Sequence, residues 1–368
     1  MYSLNRRAWV DIDLGALLRN AATASAHAGV PILPMVKADA YGLGAVAVAR
    51  ALERLDPWGY GVATIAEGEE LRHARITRPI LVFTPLLIGD FDAAARSKLT
   101  PTLGTRSSIE RWQQTGLPWH LAVDTGMSRA GVQWNEIDSI RDLLSARPPE
   151  GVFTHFHSAE RPHDGSRATQ EQRFEAVLAK LPIRPAVVHA ENSPALQHGD
   201  GSRWSVVRPG VFLYGVSAGS DPRIVPEPVV SVRARVLELR TIEPGESVSY
   251  GATFRADIRR RIATLGLGYA DGYRRVLGNR ASALLRGRRV PVVGVVTMDM
   301  TMLDVTDVPC EIGDVVTLMG SDGRDRIDVS ELAGLGELSP YELLTGLRGR
   351  LPRRYVEGDG EADRQGKA

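Results

Sequence analysis

Residues 31 to 44 read PILPMVKADAYGLG: a short apolar run, a lysine at its end, then a segment punctuated by glycine. The run is the first of a series. YGVATI (60–65), PILVFT (79–84), LTPTL (99–103), WHLAVD (119–124), GVFTHFH (151–157), PAVVHAE (185–191) and WSVVRP (204–209) follow it. Between them stand VAVARALERL, AEGEELRHAR, EIDSIRDLLSA and EQRFEAVLAKL, whose apolar residues recur every three or four positions as on one face of a helix. Ser107 and Asn135 are candidate N-caps for two of these helices. Eight strands alternating with helices over this length predict a parallel (β/α)8 barrel of the TIM type. A doubly wound open sheet is the alternative.

Beyond residue 215 the pattern changes. DPRIVPEP (221–228) carries three prolines and reads as a linker. VVSVRARVLELRTI, ESVSYG, RIATLGLGY, RVPVVGVVTM and DVVTLMG are strand-like and separated by turn residues. The expected organisation is a barrel over 1–228, its first few residues packing on the second domain, and a mainly β domain over 229–357 with one helix near ELLTGLRG. The polar stretch 358–368 reads as an unstructured tail.

With 368 residues the chain is long for one core, and its net charge of +1 offers no footprint for nucleic acid or an anionic membrane. Cys310 is the only cysteine and no apolar run is long enough to span a bilayer, so a cytoplasmic protein is expected. Of the 45 basic residues only Lys37, Lys98, Lys180 and Lys367 are lysines. Lys37 therefore stands out where it closes PILPMV.

A barrel presents its chemistry at the C-terminal ends of its strands. Those ends carry Lys37, then Asp124 to Arg129, His155 and His157, Asn192 and Ser193, and Arg208 with Gly210. A lysine set against apolar strand residues loses hydration, which lowers its pKa and makes its amine nucleophilic toward carbonyl compounds. The bland alternative is a lysine that caps the strand and reaches water. His155 and His157 alternate along a strand and would face one way, and with His189 they raise a metal reading; metal-dependent barrel hydrolases resemble one another in pairing histidines on the first strand, whereas this pair is on the sixth, so no metal is expected. Gly42-Leu43-Gly44-Ala45-Val46-Ala47 matches a dinucleotide-binding pattern, but Lys37 to Tyr41 separate it from the strand it should follow. Ser205 to Val211 ends a strand in a glycine turn of the kind that cradles phosphate in barrels.

VKADAYGLG, DTGMSRAGV, THFHSAE, HAENSPAL, VRPGVFLYG, VSYGATF, GYADGYRR, TMDM and LPRRY occur in this order. Together they resemble the alanine racemase family of pyridoxal-phosphate enzymes, over nearly the whole chain. The resemblance implies a homodimer with shared sites, an amino-acid substrate and a role in supplying D-alanine for peptidoglycan. Lys37 would hold the cofactor and serve as one base. Tyr250, entering from the partner subunit, would be the other. Tyr41, Tyr355, Asn192, Ser193 and the backbone at Gly210 and Val211 would bind the cofactor, mostly at its phosphate. Arg208 would donate to the pyridine nitrogen and His155 would contact the ring. Arg129 would hold the phenolic oxygen and the substrate carboxylate, which Met298 of the second copy would also meet.

Inverting a carbon centre needs proton carriers on both faces of one plane, and two bases are the simplest way to provide them. A guanidinium at the pyridine nitrogen does not readily release its proton, so the electron sink stays weak. That favours racemisation over decarboxylation, for which related barrels resemble one another in using a carboxylate. The second domain that carries Tyr250 argues against a non-catalytic cofactor-binding protein. Two positions depart from the family pattern. Ala122 replaces a lysine that members often carry as a carbamate, and Val295 replaces an arginine lining the substrate corridor. The second leaves a racemase of larger amino acids as the alternative.

Overall fold

The structure is a computed structural model, and it describes residues 6–357; the expected tail 358–368 lies outside the described residues, as do the first five. Its first half is a ring of parallel strands. Tyr60–Val62, Ile80–Val82, Thr100–Leu103, His120–Asp124, Gly151–Phe153 and Val187–His189 pair in that order. Almost every residue in them is buried, as expected of strands covered on both faces.

Two irregular segments close the ring. Leu33 donates to the Val207 carbonyl (2.8 Å) and Met35 to that of Pro209 (2.9 Å), while Gly61 donates to Pro34 (2.9 Å). On the other side Ser205 donates to Val188 and Arg208 to Glu191, both at 2.9 Å. PILPMV and WSVVRP thus occupy the first and eighth staves of the barrel without being regular strands. Pro31, Pro34 and Pro209 have no N–H to give a ladder, which reduces these segments to isolated bridges. GVFTHFH also departs from expectation. Its strand ends at Phe153, so His155 and His157 lie beyond it and do not share a strand face.

The helix Ile65–His73 opens with a capping box between Thr64 and Glu67. Thr105, rather than Ser107, caps Arg106–Gln113. Asn135 caps nothing, because a 3-10 turn over Ile137–Ile140 precedes the helix Arg141–Ala146.

The second half is built on the strand Val230–Ile242, where Val230, Val232, Ala234 and Val236 are buried and the residues between them are not. It pairs antiparallel with Arg260–Leu265, Val315–Asp322 and Ala8–Asp13. Ala8–Asp13 also pairs in parallel with Arg353–Val356, a closing strand that the sequence pattern did not reveal. Two helices, Val329–Gly336 and Pro340–Thr345, stand where one was expected.

Candidate active site

Lys37 begins a turn whose backbone is left-handed. Ala38, Asp39, Ala40 and Tyr41 have φ of 51°, 55°, 51° and 57°, a conformation that costs L-residues roughly 1–2 kcal/mol each. Its support comes from outside. Glu67 accepts from the N–H of Ala38 (2.7 Å) with one carboxylate oxygen, and from Ala63 (2.7 Å) and Thr64 (3.2 Å) with the other. Asp39 accepts from Ala45 through its side chain (2.7 Å) and from Gly44 through its carbonyl (2.9 Å). The turn carries the chain sharply off the first stave. It leaves Lys37 half-buried at the barrel mouth and buries the Tyr41 ring.

Burial, first, and then the positive charge of Arg129 pull the pKa of Lys37 down; Glu67 opposes them and Arg208 adds to them. An amine so placed gives up its proton more readily than a surface lysine.

Arg208 is buried at the centre of the mouth. Its Nη2 donates to the carbonyls of Thr154 (2.9 Å) and Ala190 (3.0 Å) and reaches His155 Nδ1 at 3.3 Å; its Nη1 donates to His189 Nδ1 at 2.9 Å. None of these partners is a carboxylate. Burial lowers its pKa to about 9, with Glu191 as the main opposing charge, so it is a cation at neutral pH. His155 is brought down to about 3 by burial and by Arg208, Arg129 and Lys37, and is neutral. His157 is exposed and bonded to Ser158 (2.7 Å), apart from this group.

Gly210 and Phe212 both direct their N–H to Ser193 Oγ, at 2.8 and 3.3 Å. With its lone pairs engaged, the hydroxyl keeps its own proton to donate. A Cβ on Gly210 would stand 2.5 Å from the Tyr41 hydroxyl, so the phenol lies over the glycine turn. The Tyr355 hydroxyl donates to Leu43 (3.0 Å) and crosses Gly44 so closely that no side chain fits there. Asn192 is engaged in the fold: it caps Ser193–His198 by accepting from Ala195 (3.1 Å) and donates to Phe156 (3.2 Å). Arg129 is exposed on a loop shaped by Asp124, which accepts from Gly126 and Ser128.

Tyr250 and Met298 do not join this group within the chain. Tyr250 is 71% exposed on a 3-10 turn, between Ser249 and Gly251, both of positive φ. The Ser249 hydroxyl donates to the Val295 carbonyl (2.7 Å), and Ala270 donates to Met298 (3.0 Å). Tyr250, Tyr269, Met298 and Met300 are all exposed on these joined segments of the second half.

Two features of the mouth escaped the sequence reading. The capping-box spacing Thr64-x-x-Glu67 is the one signal that marks Glu67, but nothing in that spacing tells of its reach to Ala38. The ring of Tyr214 packs on Tyr41 at 4.9 Å while its hydroxyl donates to Met35 (2.8 Å), a contact between segments far apart in the chain.

Residues 12–218 match the family of the alanine racemase N-terminal domain, and residues 229–355 match that of the alanine racemase C-terminal domain. The chain belongs to the alanine racemase family. A racemase of this family from Symbiobacterium thermophilum is 38% identical over 372 residues, covering 95% of this chain and 97% of its own length. The crystal structure of alanine racemase from E. faecalis superimposes with a TM-score of 0.91 at 30% identity, covering 95% of this chain and 98% of that one. That of the Bartonella henselae alanine racemase, which has covalently bound pyridoxal phosphate, superimposes with a TM-score of 0.88 at 30% identity, covering 95% and 100%. Family membership joins the two halves into one enzyme architecture, a barrel followed by a mainly β domain.

Proposed function

We propose that this protein is a cytosolic alanine racemase that interconverts L- and D-alanine with pyridoxal phosphate, for use in peptidoglycan. The observation that carries the reading is Lys37: a barrel-mouth amine whose proton is loosened by burial and by two arginines.

The residues present fit the cofactor. Ser193 with a proton to donate, Tyr41 over Gly210 and the first N–H of the turn at Val211 suit a phosphate, with Tyr355 beside them. Arg208 has Nε–H and one Nη1–H uncommitted among the described residues, which suits an aromatic nitrogen acceptor. Neutral His155 beside it offers a flat face for a ring. When bound, pyridoxal phosphate supplies the electron sink that makes the Cα–H of an amino acid acidic.

The chain supplies the rest. Lys37 holds the cofactor covalently, and its amine moves a proton at Cα on one face. Arg208 stays protonated and keeps the ring nitrogen from gaining a full charge, which limits the sink and disfavours loss of the carboxylate. Arg129, exposed at the mouth, receives the substrate carboxylate. The opposite face of Cα needs a second proton carrier, and within the chain Tyr250 and Met298 stand apart from the mouth. A head-to-tail homodimer brings Tyr250 of the partner subunit to that face and the backbone at Met298 of the partner subunit to the carboxylate. The exposed surface around Tyr250, Tyr269, Met298 and Met300 supports such an assembly.

The test is direct. Purified protein loaded with pyridoxal phosphate is given L-alanine in D2O, and D-alanine and Cα deuteration are followed. Racemisation with exchange in both directions is expected; no exchange at Cα would refute the reading. A panel of larger amino acids measures how far Val295 relaxes the preference for alanine.

A further inference from the structure

Behind Arg208, away from the barrel mouth, two histidines run through the barrel core. Arg208 Nη1 meets His189 Nδ1 at 2.9 Å, and His189 Nε2 meets His120 Nδ1 at 2.8 Å. Both imidazoles are fully buried. His120 Nε2 then points to Glu150 Oε2 at 3.8 Å, too far for a hydrogen bond, and Glu150 is partly exposed.

The direction of every proton follows from the arginine. A guanidinium has no acceptor, so His189 Nδ1 must accept. The proton of neutral His189 is then on Nε2, and it must be donated to His120 Nδ1. That leaves the proton of neutral His120 on Nε2, toward the carboxylate. Burial lowers the pKa of both imidazoles, which keeps them in these neutral forms. Neighbouring groups pack against both rings. Phe153 stacks on His189 at 5.1 Å and 11°, and Trp58 leans on His120 at 5.7 Å. Gly151, opposite His120 on the next strand, leaves the space into which the His120 ring fits; any Cβ there would overlap it.

We propose that His189 and His120 form a one-way hydrogen-bond relay that fixes the plane of Arg208 from behind, which makes His120 a positioning residue for the reaction. This rests on the reading of Arg208 as the group that faces the pyridine nitrogen. Arg208 has no carboxylate to orient it, so its plane depends on acceptors of fixed direction. Thr154 and Ala190 hold Nη2, and the relay holds Nη1. A His189 without its own acceptor would be free to turn, and the guanidinium with it.

The experiment uses the intact, cofactor-loaded protein with 15N-labelled histidine. Both His189 and His120 are expected to show a protonated Nε2 and a bare Nδ1; a proton on Nδ1 of either overturns the relay. His120→Leu removes the acceptor and is expected to lower kcat about tenfold, to leave KM for alanine within about twofold, and to shift the visible absorbance band of the bound cofactor. His120→Asn places Oδ1 where Nδ1 stood and is expected to restore kcat to within about threefold and the band to its wild-type position. An Asn variant no better than the Leu variant, or a Leu variant with unchanged band and kcat, overturns the positioning role. Should the Leu variant fail to fold, the nitrogen spectra and the Asn variant still decide. Failure of the wild type to racemise alanine would instead count against the proposed activity, leaving the nitrogen spectra to judge the relay.

Discussion

Replacing Glu67 by Gln tests why Lys37 stands where it does. The four residues after Lys37 are all left-handed, with φ between 51° and 57°, and at roughly 1–2 kcal/mol each they store about 4–8 kcal/mol. Glu67 accepts three backbone N–H groups, one of them from the first left-handed residue, Ala38. Hydrogen bonds to a charged acceptor contribute about 1.5–3 kcal/mol each. The bonds to Glu67, with those to Asp39, therefore match the strain in size. Gln keeps the shape but has one oxygen, so it can serve Ala38 or the pair Ala63 and Thr64, not both, and it brings two N–H donors toward other donors. A net loss of about 2 kcal/mol at the turn is expected, which weakens cofactor retention about 30-fold. Equilibrium dialysis of pyridoxal phosphate against wild type and Glu67→Gln measures this, with kcat as a second readout expected to fall more than about tenfold. Removal of Glu67 also lifts a charge that opposes the lowered pKa of Lys37, so loss of activity could not be assigned to an overprotonated amine. Cofactor affinity within about twofold of wild type would refute the idea that Glu67 holds the turn.

Gly210→Ala places a methyl 2.5 Å from the Tyr41 hydroxyl, and should weaken cofactor binding by about tenfold or more, as fluorescence titration of the apoprotein would show. Lys37→Ala and Tyr250→Phe should each be nearly inactive, yet refolding them together at equal amounts should restore about a quarter of wild-type activity. That fraction follows if sites are shared, since half the dimers are hybrids with one intact site, and no recovery would sink the shared-site reading. His155, held at about 3 when folded, takes a proton in the unfolded chain near 6.5. Between those values the unfolded state binds more protons, so stability falls as pH drops. From pH 7 to pH 5 this amounts to about 1–2 kcal/mol, and His155→Asn should remove that share of the slope in urea unfolding.

The barrel was legible because its strands are buried on both faces, so each reads as a continuous apolar run between amphipathic helices. The places where that reading failed share a cause. PILPMV and WSVVRP are apolar enough for strands, but their prolines cannot fill a ladder, and only the ring's closure holds them extended. Arg353–Val356 reads RRYV, too charged for a strand by pattern, and is one because Ala8–Asp13 offers it an edge. The site was legible through residue types that nothing else explains, a lone lysine above all. Glu67, Tyr214 and His120 were not, since each acts through a contact that exists only after the staves close.

The geometry also accounts for the choice of a strained turn after Lys37. A right-handed turn over the same residues would place the Tyr41 side chain elsewhere. With the left-handed turn in place, the Tyr41 hydroxyl lies over Gly210 at the eighth stave. The residue that carries the amine and the residue that lies over the glycine turn of the neighbouring eighth stave thereby belong to one five-residue turn, Lys37 to Tyr41. On the proposed cofactor assignment, strain at Ala38 to Tyr41 is the means by which a single segment would carry both the amine and a phenol for the phosphate. Replacing Ala38 by Gly, which relaxes that strain without removing a contact, should accordingly leave kcat near wild type while loosening the loop, seen as faster amide exchange at Ala40 and Tyr41. Unchanged exchange there would show that the turn is held by its hydrogen bonds alone.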